Sequence, residues 1–440
     1  MHWMRRDAER GSGAIPFAVR TSHPLFRSFF LGGFECSSHR LADGRRLDML
    51  AATHHDRFAA SDYRLLEGHG MATARDGLRW HLIEQRPGQY NWASFLPMLR
   101  AARETGTQVI WDLFHYGYPD GLDLFSPQFV DRFAAFAREF ARLAREEGEE
   151  SPWVSPINEI SFFSWAAGEA GVMSPFTRGR GMELKRQLVR ASVAGIQALR
   201  EVTPQARLFQ ADPIVHIIPH RDRPEDELPA ETARLCQFEG WDMLAGRLEP
   251  ELGGRPDYLD VIGVNYYVHN QWRFPGGHGS MLPPSDPRYR HVRWMLAEVY
   301  ERYGRPLFIA ETGIEDETRP AWLRYITNEA AAAIAQGVPV EGICLHPIIN
   351  HPGWEDGRHC YNGLFDYPNA SGSREVYLPL ATELAYQQHR MEAILSGREP
   401  FVDTWDAASS TLDWAAHIME DRTDEARQEE RHASEPRTED

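Results

Sequence analysis

WVSPINE (153–159) and RPLFIAET (305–312) decide how this chain is read. Each is a short apolar run that reaches a glutamate at its far end, Glu159 in the first and Glu311 in the second. Runs of this length, rich in β-branched and aromatic residues, have the composition of strands buried on both faces of a parallel sheet. Six more lie outward from these two: FFLGGFEC (29–36), MATARDGL (71–78), TQVIWDLFH (107–115), ARLFQAD (206–212), YLDVIGVNYY (258–267) and EGICLHPI (341–348). The segments between them follow a helical period. DRFAAFAREFARLAREE (131–147) puts Phe133, Phe136, Ala137 and Phe140 on one stripe. LKRQLVRASVAGIQALREV (184–202) gathers Leu188, Ala191, Val193 and Ile196, and RPAWLRYITNEAAAAIAQG (319–337) stops at a glycine. Eight strands alternating with helices predict an α/β fold, a single (β/α)8 barrel with loop insertions at its C-terminal face.

The chain has 440 residues, 42% of them hydrophobic, enough for one large core. Residues 1–28 read as a lead-in, 29–400 as the barrel and 401–440 as an acidic extension. From about residue 420 that extension has almost no large apolar side chains to offset its ordering entropy, so disorder is expected there. A net charge of −17 repels phosphate backbones and anionic lipid, which argues against nucleic-acid and membrane partners. No run reaches the roughly 18 apolar residues of a membrane span, and no apolar stretch of signal-peptide length follows the N-terminal basic residues. A cytoplasmic protein is expected. The cysteines, Cys36, Cys236, Cys344 and Cys360, are scattered without a CxxC pair. They read as free, buried thiols in a reducing compartment. Histidines are numerous, among them His54, His55, His346, His351 and His359, but none shows the spacing of a zinc site, so no metal is expected. No GxGxxG follows the first strand, so no nucleotide cofactor is expected. Oligomeric state is not legible.

In such a barrel, reactive groups sit at the C-terminal ends of the strands. Here those ends are polar: Glu35 and His39; Arg75, Asp76, Arg79 and Trp80; His115; Asn158 and Glu159; Asn265, Tyr266 and Tyr267; Glu311; and His346, Asn350, His351, Trp354 and Glu355 after the eighth run. Glutamates on the fourth and seventh strands can converge across the barrel mouth. Cleavage of a glycosidic bond needs such a pair, one carboxylic acid for the leaving oxygen and one carboxylate for the sugar carbon.

With these residues in place, the chain resembles the family 1 glycoside hydrolases, the β-glucosidase-like members of the retaining barrel clan, from about Phe29 to Gln387. PINEI (156–160) and IAETG (309–313) are similar to the family's TFNEP and ITENG motifs. The resemblance implies Glu159 as acid/base, Glu311 as nucleophile and Asn158 as a partner of the sugar 2-hydroxyl. ARDGLRW (74–80) looks like YRFSISW and implies Arg75 beside the nucleophile. LFHYGYPDGL (113–122) resembles LHHWDLPQ and matches His115 to a sugar-binding histidine. DVIGVNYY (260–267) resembles DFIGINYY, with Asn265 and Tyr267 on one strand face and Tyr267 bonded to the nucleophile. WEDGRHCYNGLFDY (354–367) implies Trp354 packed on the sugar.

Three positions depart from the family. Ile160 replaces a proline, His39 stands where a glutamine binds the 3- and 4-hydroxyls, and Gly353 stands where a glutamate grips the 4- and 6-hydroxyls. The expected activity is retaining hydrolysis of a β-linked glycoside, without cofactor, on a carbohydrate substrate. A glycan-binding barrel without catalysis, and a transglycosylase using the same carboxylates, stay open as alternatives.

Overall fold

The computed structural model describes residues 24–276, 280–354 and 356–403. The expected disordered tail, most of the lead-in and Glu355 lie outside the described residues.

Eight parallel strands close into a barrel: β1 (Phe30–Gly33), β2 (Thr73–Gly77), β3 (Gln108–Phe114), β4 (Trp153–Ile157), β5 (Arg207–Pro213), β6 (Val261–Asn265), β7 (Leu307–Thr312) and β8 (Val340–Leu345). Each pairs with the next in sequence. Phe30 against Ile343 closes the ring between β1 and β8. This is the (β/α)8 barrel expected from the eight runs, each strand lying within its run or starting or ending within a residue of it.

The wall helices follow the predicted stripes. Among them are α1 (His55–Gly68), α2 (Leu96–Thr105), α3 (Pro127–Glu146), α4 (Gly181–Val202), α5 (Val292–Tyr303), α6 (Arg319–Ala335) and α7 (Leu378–Leu395). Phe133, Phe136, Ala137 and Phe140 of α3 are all fully buried. Helices α3 and α4 approach closely because Gly195 has no side chain: a Cβ there would stand 2.7 Å from the Phe133 ring. Trp80, read from sequence among the strand-end polar groups, belongs instead to this aromatic layer and stacks on Phe136 at 5.2 Å.

Inside the barrel, Leu31, Ile110, Trp153, Phe209, Val261, Phe308, Ala310 and Cys344 form a separate core. Phe26 packs with them, its ring 4.9 Å from Phe308 and 5.2 Å from Trp153. The loop insertions carry three small two-stranded sheets: His216–Ile218 with Gln271–Arg273, His351–Pro352 with His359–Cys360, and Phe365–Pro368 with Arg374–Val376. The long β8 loop is fastened to α1 by a buried ionic group. Arg374 donates to Asp62 at 2.6 and 2.9 Å, and His55 bridges Asp62 and Asp76 at 2.7 and 2.8 Å. Burial pulls the His55 pKa down, but Asp76 and Asp62 overcome it and push it up to about 9.

All four cysteines are free. Cys36, Cys344 and Cys360 are buried as expected, but Cys236 is exposed, because the short helix that ends beside it lies on the surface. Among the described residues, no helix is long and apolar enough to cross a membrane.

Candidate active site

Strand alternation supplies part of the site, an irregularity in one strand adds Glu311, and the segments that follow the strands supply the rest. On β2, Arg75 faces inward and lies over the Phe209 ring, while Asp76 faces outward to His55 and Tyr63. Arg79 also turns away, toward Asp48 and Asp56. On β7 the inward residues are Phe308 and Ala310, so strict alternation would turn Glu311 out of the barrel. The pairing with β6 prevents this: Val264 lies opposite Ile309, yet Asn265 lies opposite Glu311, with one residue skipped. This bulge brings Glu311 level with the inward Asn265 and aims its carboxylate into the mouth.

Glu159 follows β4 with left-handed backbone angles, φ 48° and ψ 60°. Such a conformation costs a non-glycine residue on the order of 1–3 kcal/mol and persists only where its surroundings impose it. Here the Glu159 amide donates to the Ala211 carbonyl and its side chain is gripped from two sides. Asn265 donates to Oε1 at 2.8 Å, and the Tyr116 hydroxyl donates to Oε2. Tyr116 is itself left-handed, at φ 63°.

Arg75 ties the two carboxylates into one network. Its Nη1 donates to Glu311 Oε1 at 2.6 Å and to the Ala310 carbonyl at 3.2 Å. Nε and Nη2 hold Asp112 at 3.2 and 2.7 Å, and Nη2 also reaches Asn158 Oδ1 at 2.7 Å. The Asn158 amide nitrogen then meets His115 at 3.0 Å and Tyr116 at 3.2 Å. The Tyr267 hydroxyl donates to the other Glu311 oxygen at 2.9 Å. Strand β6 ends at Asn265, so Tyr267 reaches Glu311 from the following turn rather than from the strand itself. Trp354 lies 5.0 Å from His39 and 5.9 Å from Tyr116, ring to ring, at the rim.

The site residues read from sequence, His39, Arg75, His115, Asn158, Glu159, Asn265, Tyr267, Glu311 and Trp354, therefore meet at one end of the barrel. Sequence reasoning did not single out Tyr116 or Asp112, nor Asp212. Tyr116 directly follows His115 in the quoted LFHYGYPDGL stretch, and that adjacency was the available signal. Asp212 lies near Glu159 and accepts from the Ser161 amide at 2.9 Å. At Gly353 a Cβ would stand 2.2 Å from Asp356 Oδ1, so a side chain there would require the exposed Asp356 carboxylate to turn aside.

The electrostatics separate the two glutamates. Burial raises the Glu159 pKa and the neighbouring Glu311 charge raises it further, to about 8. For Glu311 burial also disfavours the charge, but His346, Arg75 and His115 outweigh it and the pKa is lowered. Of these three, only the guanidinium keeps its charge at every working pH. One group of metal-ligand type occurs among the described residues, Cys36, Asp112 and His115. Its atoms already bond one another, Cys36 Sγ 3.1 Å and Asp112 Oδ2 2.9 Å from His115 Nδ1, and Arg75 already neutralises Asp112.

An inward ring of carboxyl groups, amides and aromatics at the C-terminal end of a closed (β/α)8 barrel defines the class: a barrel with a pair of glutamates at the ends of β4 and β7. Among known proteins, no family model matches the chain. It is 23% identical over 338 residues to a chloroplastic β-glucosidase-like protein of Oryza sativa subsp. japonica, covering 68% of this chain and 50% of that one. It is 20% identical over 366 residues to β-glucosidase A of Thermotoga maritima, covering 70% and 80%. A β-galactosidase of Sulfolobus acidocaldarius is 24% identical over 314 residues, covering 61% and 63%. The match thus spans half the length of the rice protein. The family 1 β-glucosidase structure from Thermotoga maritima superposes with a TM-score of 0.66 at 16% identity, covering 83% of this chain and 98% of that one. The same enzyme in complex with glucoimidazole gives 0.67, covering 84% and 99%. The chain is similar in sequence to β-glucosidases and a β-galactosidase, and it has the fold of the family 1 β-glucosidases.

Proposed function

We propose that this chain is a glycoside hydrolase that cleaves a β-linked glycoside with retention, by double displacement through a covalent glycosyl-enzyme. One observation carries the reading: Glu311 and Glu159 belong to one hydrogen-bonded network, and their pKa values are driven in opposite directions. Two carboxyl groups with separated pKa values take separate acid and nucleophile roles. The ionised Glu311 attacks the anomeric carbon. The bond to the leaving oxygen breaks as Glu159 gives that oxygen its proton. Glu159, now a carboxylate, takes a proton from water, and the resulting hydroxide displaces Glu311 and frees the sugar. Asn158 is positioned to meet the 2-hydroxyl and Trp354 to pack on a sugar face. The β-glucosidase and β-galactosidase relatives support the substrate class.

The test is trapping. Incubation with 2-deoxy-2-fluoro β-glycosides of several neutral sugars should add one fluoroglycosyl group to the peptide carrying Glu311. Mass spectrometry reads the adduct and its site. Binding without labelling would identify a glycan-binding barrel; labelling with turnover only in the presence of a sugar acceptor would identify a transglycosylase.

Tyr116 gives a further expected result. Its hydroxyl stabilises the charged form of Glu159, so Tyr116→Phe should move the alkaline limb of the kcat/KM profile to higher pH. Loss of one hydrogen bond to a carboxyl group, about 1.5 kcal/mol, should lower kcat/KM on alkyl glycosides roughly tenfold. An unchanged alkaline limb would show that the hydroxyl does not act on the acid.

A further inference from the structure

A third carboxyl group stands in the same mouth. Glu35 follows β1 and is 8% exposed. Its neighbour Phe34 turns outward and stacks on His55, 3.7 Å between ring centres, so Glu35 is directed inward. Oε1 accepts the Ser37 amide at 2.9 Å and lies 3.8 Å from His115 Nε2. Among the described residues Oε2 has no hydrogen-bond partner. Burial disfavours the charge on Glu35, but the neighbouring His115, His346 and His351 and the Ser37 hydrogen bond hold its pKa down to about 2. Around it, Ser37 Oγ, His39 Nδ1 and His346 Nε2 are buried polar atoms without partners. Glu35 shares no hydrogen bond with either of the two proposed reacting glutamates, although its charge is felt by Glu311. The contacts run from Glu159 through Tyr116, Asn158 and His115 before reaching it.

Buried polar atoms without partners are costly unless a ligand meets them, and a carboxylate oxygen that bonds no protein group can accept two sugar hydroxyls. We propose that Glu35 is the specificity-determining residue of this pocket: it accepts hydroxyls of a neutral glycone on the side away from the leaving oxygen, and repels glycones that carry a carboxylate or phosphate. The inference rests on the hydrolase reading above. It accounts for the loss of a side chain at position 353. The hydroxyl-gripping charge is supplied from β1, with His39 and Ser37 around it, rather than from position 353 of the β8 hairpin, which has no side chain.

The test compares the full chain and Glu35→Gln on nitrophenyl β-glucoside, β-galactoside and β-glucuronide. The wild type should favour a neutral glycoside over the glucuronide by at least about 100-fold in kcat/KM. Glu35→Gln should lower kcat/KM on the neutral substrate by about 100-fold and narrow the neutral-to-acidic ratio by about tenfold or more. A merely structural role would lower both substrates alike and leave the ratio unchanged, and that result overturns the inference. So does a wild type that prefers the glucuronide, a measurement that needs no variant to fold and leaves the hydrolase reading standing. A wild type that neither cleaves nor is labelled by any of these sugars overturns the hydrolase reading, and this inference with it.

Discussion

Glu311→Gln should lower kcat on nitrophenyl β-glycosides by about 10⁵-fold, roughly 7 kcal/mol of transition-state stabilisation. The amide keeps the shape of the side chain, its oxygen still accepts from Arg75 and its nitrogen can donate to a reoriented Tyr267 hydroxyl, but it offers no charged oxygen to the anomeric carbon. The fold should survive because Arg75 keeps Asp112, to which it already donates two hydrogen bonds. One buried cation and one buried anion still balance after the change, whereas removing Arg75 would leave two carboxylates uncompensated. Circular dichroism and thermal melting should therefore match the wild type. Azide should not restore a product of retained configuration, and the 2-fluoro glycoside should leave the variant unlabelled. Residual activity within 100-fold of wild type would remove Glu311 from the reaction.

Glu159→Ala should show a loss that depends on the leaving group. A dinitrophenolate departs without a proton, so kcat/KM for a dinitrophenyl glycoside should stay within about tenfold of wild type. An alkyl glycoside needs the proton, and its kcat/KM should fall by about 10³- to 10⁴-fold, within the usual reach of general acid catalysis. Release of the sugar also slows, since no base remains for water. Azide, which needs no base, should then speed turnover and give a glycosyl azide of retained configuration. The pH profile gives an independent check. In the wild type the protonated Glu159 is lost as pH rises through about 8, so kcat/KM should fall on that side. The variant should lack this alkaline limb. Equal losses on dinitrophenyl and alkyl glycosides would show that Glu159 is not the proton donor.

The barrel was legible because its eight strands are buried on both faces. That burial requires continuous apolar runs, and these stand out at a period different from that of the helices. Polarity at the strand ends was read just as directly, yet it overcounted the site. Asp76, Arg79 and Trp80 have the same polar or amphipathic character as Arg75, but they point into the wall, to His55, Asp56 and Phe136. Which face a residue joins depends on the strand's phase, and composition does not carry phase. Tyr116 was missed for a related reason. Its hydroxyl reaches Glu159 from a backbone at φ 63°, a region for which tyrosine has no intrinsic preference. Cys236 was misjudged because a thiol's burial follows from the position of its helix rather than from its own type.

By itself the sequence determined the eight-stranded alternation, the two glutamates and the chemical types around them, since burial and hydrogen-bonding capacity are properties of residue types in order. The tertiary structure alone decided that Glu311 faces the mouth. A single skipped residue between β6 and β7 reverses the direction strand alternation would give it, because a pleated strand changes face at each step. Packing likewise decided that Arg75, three strands away from Glu311 around the ring, bonds it across the barrel, and that Glu35 enters the same pocket. Those contacts join residues up to 236 positions apart in the chain, where only the closure of the ring brings them within bonding distance.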